Sequence, residues 1–245
     1  NKAIYYFLLA ANQNIAYANV MLGIIFLTEV YQPIKGINYL KNAFSLNDSN
    51  ASFILAIIYL YGTDGIPYDI KESLKYFEIS ANQKNQDAQF LLGIIYYIGY
   101  GIKQNIKKSI SYWNECSSLN NSKANNNLGV LYKNGEGVKK NIQNSIVFFT
   151  EAIKISKNYT FSSYNLAKIY YFGIDIDKNI QKSIEILENV CYKQNCIVNL
   201  FLFYIYYCIN KAEDGKQKAI FYLDQINDKR IVNIVITLIF TGTID

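Results

Sequence analysis

The sequence predicts an all-α protein built from about six helical hairpins, with a half-repeat at each end. Two observations carry this prediction. A block of residues recurs at a nearly constant period along most of the chain. Proline, which interrupts helices and punctuates β proteins, occurs only at Pro33 and Pro67. With 245 residues, 51% of them hydrophobic, the chain is long and apolar enough to bury a substantial core.

The repeat is clearest in the middle of the chain. Segments that begin at Ala88, Ala124 and Ser162 align almost without gaps. A fourth segment, which begins at Ala51, carries one extra loop residue. The four copies share an anchor leucine at spacings of 37, 36 and 38 residues, namely Leu55, Leu92, Leu128 and Leu166. A period of this length is typical of stacked pairs of helices.

Each copy opens with a pattern that predicts a first helix. In one copy a small residue, Ala88, is followed four positions later by Leu92. Gly93 and Tyr96 follow at positions five and eight, so these residues share one face of a helix. Three residues after the tyrosine position comes a glycine, which tolerates the positive φ of a helix C-terminus. In the four copies this glycine is Gly62, Gly99, Gly135 and Gly173.

A second helix is predicted after each glycine turn. An Asp or Asn stands at the expected N-cap, where its side-chain oxygen accepts N–H groups of the first turn. These caps are Asp69, Asn105, Asn141 and Asn179. Asp69 and Glu72 also match a capping box. A serine and, three positions later, an apolar residue define the buried face. The apolar residues are Tyr76, Tyr112, Phe148 and Ile186.

Fainter copies extend the pattern in both directions. Leu22 and Tyr39 mark an earlier hairpin, while Leu202 and Tyr222 mark a later one. We therefore expect a single array over residues 1–245. Its hairpins are expected at about 16–48, 50–84, 87–120, 123–157, 161–193 and 197–227, with partial repeats at 1–13 and 229–245.

The shared pattern, a small residue followed by LGxxYxxGxGV and then an Asp or Asn cap, resembles the Sel-one-like repeat, a relative of the tetratricopeptide repeat. The resemblance covers essentially the whole chain. Ala56 and Ala167 replace the helix glycine, and Asp175 replaces a loop glycine. The resemblance implies a right-handed α-α superhelix and an adaptor role, since family members assemble signalling, membrane-protein degradation or cell-wall synthesis complexes. Fold alone does not fix function.

The resemblance also implies where a protein or peptide partner binds. If the units stack as in tetratricopeptide arrays, certain first-helix positions face a concave groove, where exposed aromatics would provide contact area. The expected partner-binding residues are Phe53, Ile57, Phe90, Ile94, Tyr97, Asn126, Lys133, Tyr164, Lys168, Tyr171 and Tyr204. The copy that begins at Ala124 would give the groove a polar, locally basic part that suits an acidic or C-terminal carboxylate group. The alternative is that many of these aromatics pack against the next hairpin.

Several kinds of chemistry are not expected. The sequence contains no histidine, so neither a Ser-His-Asp or Cys-His nucleophile nor a His-ligated metal site can be built. The glycine-rich stretches recur at the repeat period, which makes them turns rather than phosphate-binding loops. We expect a non-catalytic protein with no metal, cofactor or small-molecule substrate. The net charge of +5 is modest and its lysines are scattered, which argues against nucleic acid.

The cysteines and apolar stretches bear on the compartment. The four cysteines occur without a CxxC pair, which favours free thiols, although the sequence leaves open whether Cys191 and Cys196 are bridged. The longest apolar stretch, residues 197–209, is shorter than the roughly 20 residues that span a bilayer, so no membrane insertion is expected. No signal peptide is visible. These observations favour the cytoplasm.

Two alternatives stay open. A luminal or secreted substrate receptor, of the kind that serves degradation at the endoplasmic reticulum, would use the N-glycosylation sequons. These sequons begin at Asn47, Asn50, Asn120 and Asn158. The array could otherwise regulate a catalytic domain that lies outside these residues.

Overall fold

The computed structural model describes residues 2–156, 160–190, 196–209 and 213–240. Within these ranges every regular element is an α-helix, apart from one isolated bridge between Thr63 and Ile66. The helices are α1 (Lys2–Ala11), α2 (Ala16–Thr28), α3 (Pro33–Ser45), α4 (Ser49–Tyr61), α5 (Ile70–Asn82), α6 (Gln86–Ile98), α7 (Ile106–Ser118), α8 (Ser122–Asn134), α9 (Ile142–Ile155), α10 (Thr160–Phe172), α11 (Ile180–Glu188), α12 (Cys196–Ile209), α13 (Glu213–Asp224) and α14 (Lys229–Phe240). The predicted all-α fold class is confirmed.

The helices pack in consecutive pairs. The most extensive contacts join α2 to α3, α4 to α5, α6 to α7, α8 to α9, α10 to α11 and α12 to α13, so six hairpins lie between α1 and α14. The chain forms two compact units, Asn1–Leu119 and Asn120–Asp245. The first unit contains α1 to α7 and the second contains α8 to α14. The expected single array over residues 1–245 stays a prediction.

The turn inside a hairpin is closed by the cap residues that the sequence indicated. Asn105 accepts the N–H of Lys108 at 3.0 Å, and its own N–H donates to the carbonyl of Tyr96 at 2.8 Å. The same backbone bond joins Asp69 to Tyr59 at 2.8 Å. The predicted capping box at Asp69 is therefore wrong in its second half, because that N–H is already occupied. The Glu72 carboxylate instead contacts Lys75 at 3.3 Å.

Small residues let the two helices of a hairpin approach closely. Gly93 lies directly against the indole of Trp113, and Gly129 lies against the ring of Phe149. In two hairpins a serine of the second helix also donates across this contact. For example, the hydroxyl of Ser145 donates to the carbonyl of Gly129 at 2.7 Å. This bond satisfies a buried hydroxyl, whereas the serines at the same position of α7 and α11 are buried without a hydrogen-bond partner.

A stacked pair of rings joins the two helices of most hairpins. One ring comes from the tyrosine position of the first helix and the other from the apolar position of the second helix. The ring centroids are 5.4 to 5.9 Å apart and the planes differ by only 4 to 16°. The pairs are Phe26–Tyr39, Tyr59–Tyr76, Tyr96–Tyr112, Tyr132–Phe148 and Tyr206–Tyr222. The fifth hairpin differs, because Ile186 stands where the second ring would be.

Candidate partner-binding surface

In the first unit, an apolar cavity of about 240 Å³ opens between the C-terminal ends of α4 and α6. It is lined by Leu60, Tyr61, Leu91, Ile94, Ile95, Ile98 and Tyr100. Three of these side chains are strongly exposed, namely Tyr61 at 74%, Ile98 at 57% and Tyr100 at 44%. No charged residue lines the cavity among the residues described. Large apolar groups clustered at a surface mark an interaction site more often than a stability feature.

The residues predicted for this part of the surface are half-buried. Phe53 meets the buried ring of Phe77 edge-on at 5.9 Å, and Tyr97 packs against Trp113 at 5.6 Å. Ile94 lines the cavity itself. Ile57 packs against the core of the first unit, and Phe90 is half-buried on α6. These side chains therefore support the surface more than they project from it.

Sequence reasoning missed two prominent residues of this surface, Ile98 and Tyr100. Ile98 is the last residue of α6, and Tyr100 lies in the turn between Gly99 and Gly101. A signal was available, because Ile98 stands ten positions after Ala88 on the face expected to bind. A large aromatic between two glycines has no core to enter, which also favours exposure.

In the second unit, Asn126 is buried and links neighbouring hairpins. Its side-chain carbonyl accepts hydrogen bonds from the hydroxyl of Ser162 and the amide of Asn165, both at 3.2 Å. These bonds join α8 to α10. Asn126 is only 7% exposed, so its role in the structure is to hold the hairpins in register rather than to face a partner.

Two lysines of the second unit lie within electrostatic reach of each other. Burial lowers the pKa of Lys133, and the nearby Lys168 lowers it further, while Glu136 acts in the opposite direction. The ammonium of Lys168 lies 5.3 Å from the ring centroid of Tyr164. Two half-buried cations thus lie near each other, and one of them, Lys168, lies over an aromatic ring.

Tyr171 is a core residue. It is 6% exposed, and its ring meets those of Phe172, Phe201 and Tyr204 edge-on at 4.8, 5.2 and 6.2 Å. Burial, followed by the interaction with Tyr204, raises the pKa of Tyr171 to about 12. Tyr171 therefore packs against the next hairpin, which is the alternative that the sequence left open. The exposed aromatics of this cluster are Tyr204 at 41% and Phe172 at 57%.

Comparison with known proteins places the chain in a family. The family model described as Sel1 repeat matches residues 1–15, 49–85, 86–121, 122–154 and 160–189, more than half of the chain. This chain belongs to the Sel1 repeat family. Members generally act as protein-interaction scaffolds. The matches leave out residues 16–48, where the structure nevertheless contains the hairpin of α2 and α3.

Solved structures show the same fold. A protective antigen present in uropathogenic Escherichia coli strains, which displays an SLR fold, is 24% identical with a TM-score of 0.80. The match covers 90% of this chain and 47% of the antigen, so the chain spans about half the length of that protein. A Sel1 repeat protein from Oxalobacter formigenes is 24% identical with a TM-score of 0.71, and 86% of each chain is covered. No curated protein matches this chain.

Other kinds of site are absent from the part of this Sel1 repeat chain that the structure describes. It holds no group of three or more metal-ligating side chains, and none of its helices is long and apolar enough to cross a bilayer. Cys116, Cys196 and Cys208 are not in disulfides, whereas Cys191 lies outside the described residues, as does the sequon at Asn158. Burial raises the pKa of the Cys116 thiol to about 12, which makes it a poor nucleophile.

Proposed function

We propose that this Sel1 repeat chain is a non-catalytic scaffold that binds a peptide or protein on the surface formed by its first helices. The observation that carries the proposal is the apolar cavity between α4 and α6, with Tyr61, Ile98 and Tyr100 exposed around it. Tyrosine and isoleucine side chains that stay this exposed contribute little to the stability of the fold. Their apolar surface becomes favourable only when another molecule covers it.

The size and lining of the cavity define what it accepts. A volume of about 240 Å³ holds one large apolar side chain. Burying such a side chain stabilises a complex by about 1.5–3 kcal/mol, and tyrosines at the edge add contact area with little loss of rotamer freedom. We therefore expect the partner to insert an apolar anchor residue here.

In the second unit, Lys133 and Lys168 support an anionic contact. Keeping Lys133 charged is costly because it is half-buried and beside another cation. A carboxylate that approaches both ammonium groups offsets this cost. The exposed ring of Tyr204 offers apolar contact in the same unit. The expected ligand group there is an acidic side chain or a C-terminal carboxylate.

The test compares partner capture by the wild-type chain and by a variant that carries Tyr61→Ser, Ile98→Ser and Tyr100→Ser. These side chains are exposed, so the fold is expected to survive, which circular dichroism and thermal unfolding check. A matched control carries Tyr17→Ser, Tyr31→Ser and Ile15→Ser, which are also exposed at 63%, 81% and 45%. Proteins captured from a lysate of the source organism are quantified by mass spectrometry.

The proposal predicts proteins that are enriched by the wild type and the control but lost with the cavity variant. Binding of an isolated partner is then expected to weaken at least tenfold in the cavity variant, since clustered aromatic contacts commonly contribute more than about 1 kcal/mol each. Equal capture by all three proteins would place the binding surface elsewhere.

A further inference from the structure

The fifth hairpin lacks a ring that the other hairpins have. In those hairpins the tyrosine or phenylalanine of the first helix stacks on an aromatic residue of the second helix. In the fifth hairpin Tyr170 provides the first ring, but the facing position is Ile186. The ring of Tyr170 therefore faces an isoleucine instead of a second aromatic ring.

The second hairpin shows that a further ring can pack beside the stacked pair. In the second hairpin, Tyr76 stacks on Tyr59 and also meets Phe44 of the preceding second helix edge-on at 5.2 Å. Phe44 stands eight positions after the small residue of its helix. The equivalent residue before the fifth hairpin is Ile153. Before the third and fourth hairpins the equivalent residues are an alanine and a serine, so the further ring is particular to the second hairpin.

A cavity of about 320 Å³ opens beside Tyr170 and Ile186. It lies among α9, α10 and α11, and Ile153, Leu166, Tyr170 and Ile186 line it. An apolar cavity of roughly 150 Å³ is enough to hold benzene. The cavity therefore has room for one aromatic side chain and part of the backbone that carries it.

The charges around the cavity are positive. Lys154 and Lys182 line it, and no carboxylate does so among the described residues. Lys154 is 65% exposed and contacts Glu151 at 2.6 Å, a surface pair of the kind that contributes little stability and is easily exchanged. These two ammonium groups favour an acidic neighbour of the inserted ring.

Lys182 does not block the stacking position. Its ammonium lies 4.3 Å from the ring centroid of Tyr170. In the third hairpin, Tyr96 has a lysine, Lys108, at 4.7 Å from its centroid and still stacks on Tyr112. The same combination of a lysine and a stacked ring occurs at Phe26 and Tyr206. A ring from another molecule can therefore stack on Tyr170 while Lys182 stays in place.

We propose that this cavity binds an aromatic side chain of a partner peptide that has an acidic residue next to it. The ring packs against Tyr170 and Ile186, beside the place that the chain's own second ring takes in other hairpins. The neighbouring carboxylate binds Lys154 and Lys182. This site is separate from the surface between α4 and α6 and rests on different observations.

The experiment titrates ¹⁵N-labelled protein with the capped tripeptide Asp-Phe-Asp and follows backbone amide shifts around Ile153, Tyr170 and Ile186. Capped Asp-Ala-Asp and Lys-Phe-Lys are the comparison peptides. We expect Asp-Phe-Asp to bind at least tenfold more tightly than either, because one lacks the ring and the other repels the lysines. Equal binding of the three peptides, or no shifts at these residues, would overturn the proposal.

Filling the cavity from within gives the sharper test. The substitution Ile186→Tyr supplies the missing ring, so it is expected to abolish Asp-Phe-Asp binding while leaving the melting temperature equal or higher. Val147→Tyr adds the same side chain at an exposed position of α9 and is expected to bind normally. Should Ile186→Tyr fail to fold, Lys182→Gln with Lys154→Gln is expected to remove the preference for Asp-Phe-Asp over Lys-Phe-Lys.

The variant with Tyr61, Ile98 and Tyr100 replaced by serine keeps full tripeptide binding under this proposal, which separates a failure here from a failure of the proposed function.

Discussion

At the scale of single residues, contact between the helices of a hairpin depends on having no side chain at one position. Gly93 faces the indole of Trp113, and a Cβ at Gly93 would overlap that ring. The indole cannot shift freely, because its N–H donates to the carbonyl of Phe90 at 3.3 Å and the side chain is 2% exposed. The smallest possible addition is therefore expected to matter.

We expect Gly93→Ala to lower the free energy of unfolding by about 1–3 kcal/mol, the usual cost of overpacking a core. The higher helix propensity of alanine offsets part of the effect. Urea unfolding followed by circular dichroism measures the change. Lys107→Ala, at an exposed site of the neighbouring helix α7, is the control and is expected to stay within about 0.5 kcal/mol of wild type. A Gly93→Ala protein as stable as wild type would show that the indole moves at little cost.

At the scale of helices, one polar side chain fixes the start of the second helices α5, α7, α9 and α11. Asn105 accepts from Lys108 at 3.0 Å, and Asn141 and Asn179 make the equivalent bonds to Asn144 and Lys182 at 3.0 and 2.9 Å. The caps were predictable from sequence because they act on the backbone two or three residues away. They place the second helix at a fixed distance from the glycine turn.

Replacing the cap is expected to weaken the hairpin. Asn105→Ala leaves the N–H of Lys108 in the first turn of α7 without its acceptor, so the free energy of unfolding is expected to fall by about 1 kcal/mol. Asn114→Ala, an exposed position inside the same helix, makes the same chemical change without touching a cap. Denaturant midpoints of the two variants are compared. An equal loss in both would mean that the cap contributes nothing specific.

At the scale of the whole molecule, the aromatic content is largely structural. The chain has 23 tyrosines, and most hairpins use them in stacked pairs between their two helices. Burial raises the pKa of Tyr112 and of Tyr171 to about 12, and it also raises that of Tyr206, which donates to Glu188 at 2.8 Å. The folded protein thus holds phenolic protons more tightly than the unfolded chain.

This difference makes stability fall in alkali. The stabilisation is complete below the unfolded pKa of 10.0 and is lost as the pH rises through the folded value of about 12, because the unfolded state releases its protons first. We expect urea midpoints to drop between pH 10 and 12, and Tyr171→Phe to make that drop shallower. Tyr31→Phe, at an 81% exposed site, is expected to leave the slope unchanged. If Tyr171→Phe leaves the slope unchanged, the pH dependence comes from other groups.

The sequence alone determined the helices and their ends. The spacing from Leu92 to Gly99 to Asn105 places a first helix, its stop and the cap of the next helix. Such signals act over a few residues through helix periodicity, positive φ and capping, so they survive without knowledge of neighbours. The repeat period then pairs the helices into hairpins, and the structure confirms this all-α fold.

Only the tertiary structure decided which side chains of a shared pattern reach the surface. Tyr171 and Tyr204 were both expected to face the groove. Yet Tyr171 is 6% exposed and Tyr204 is 41% exposed. The cavity beside Tyr170 likewise depends on Ile153 and Ile186, which come from two different helices. Burial is set by the shapes of groups distant in sequence, and that physical dependence is absent from any local pattern.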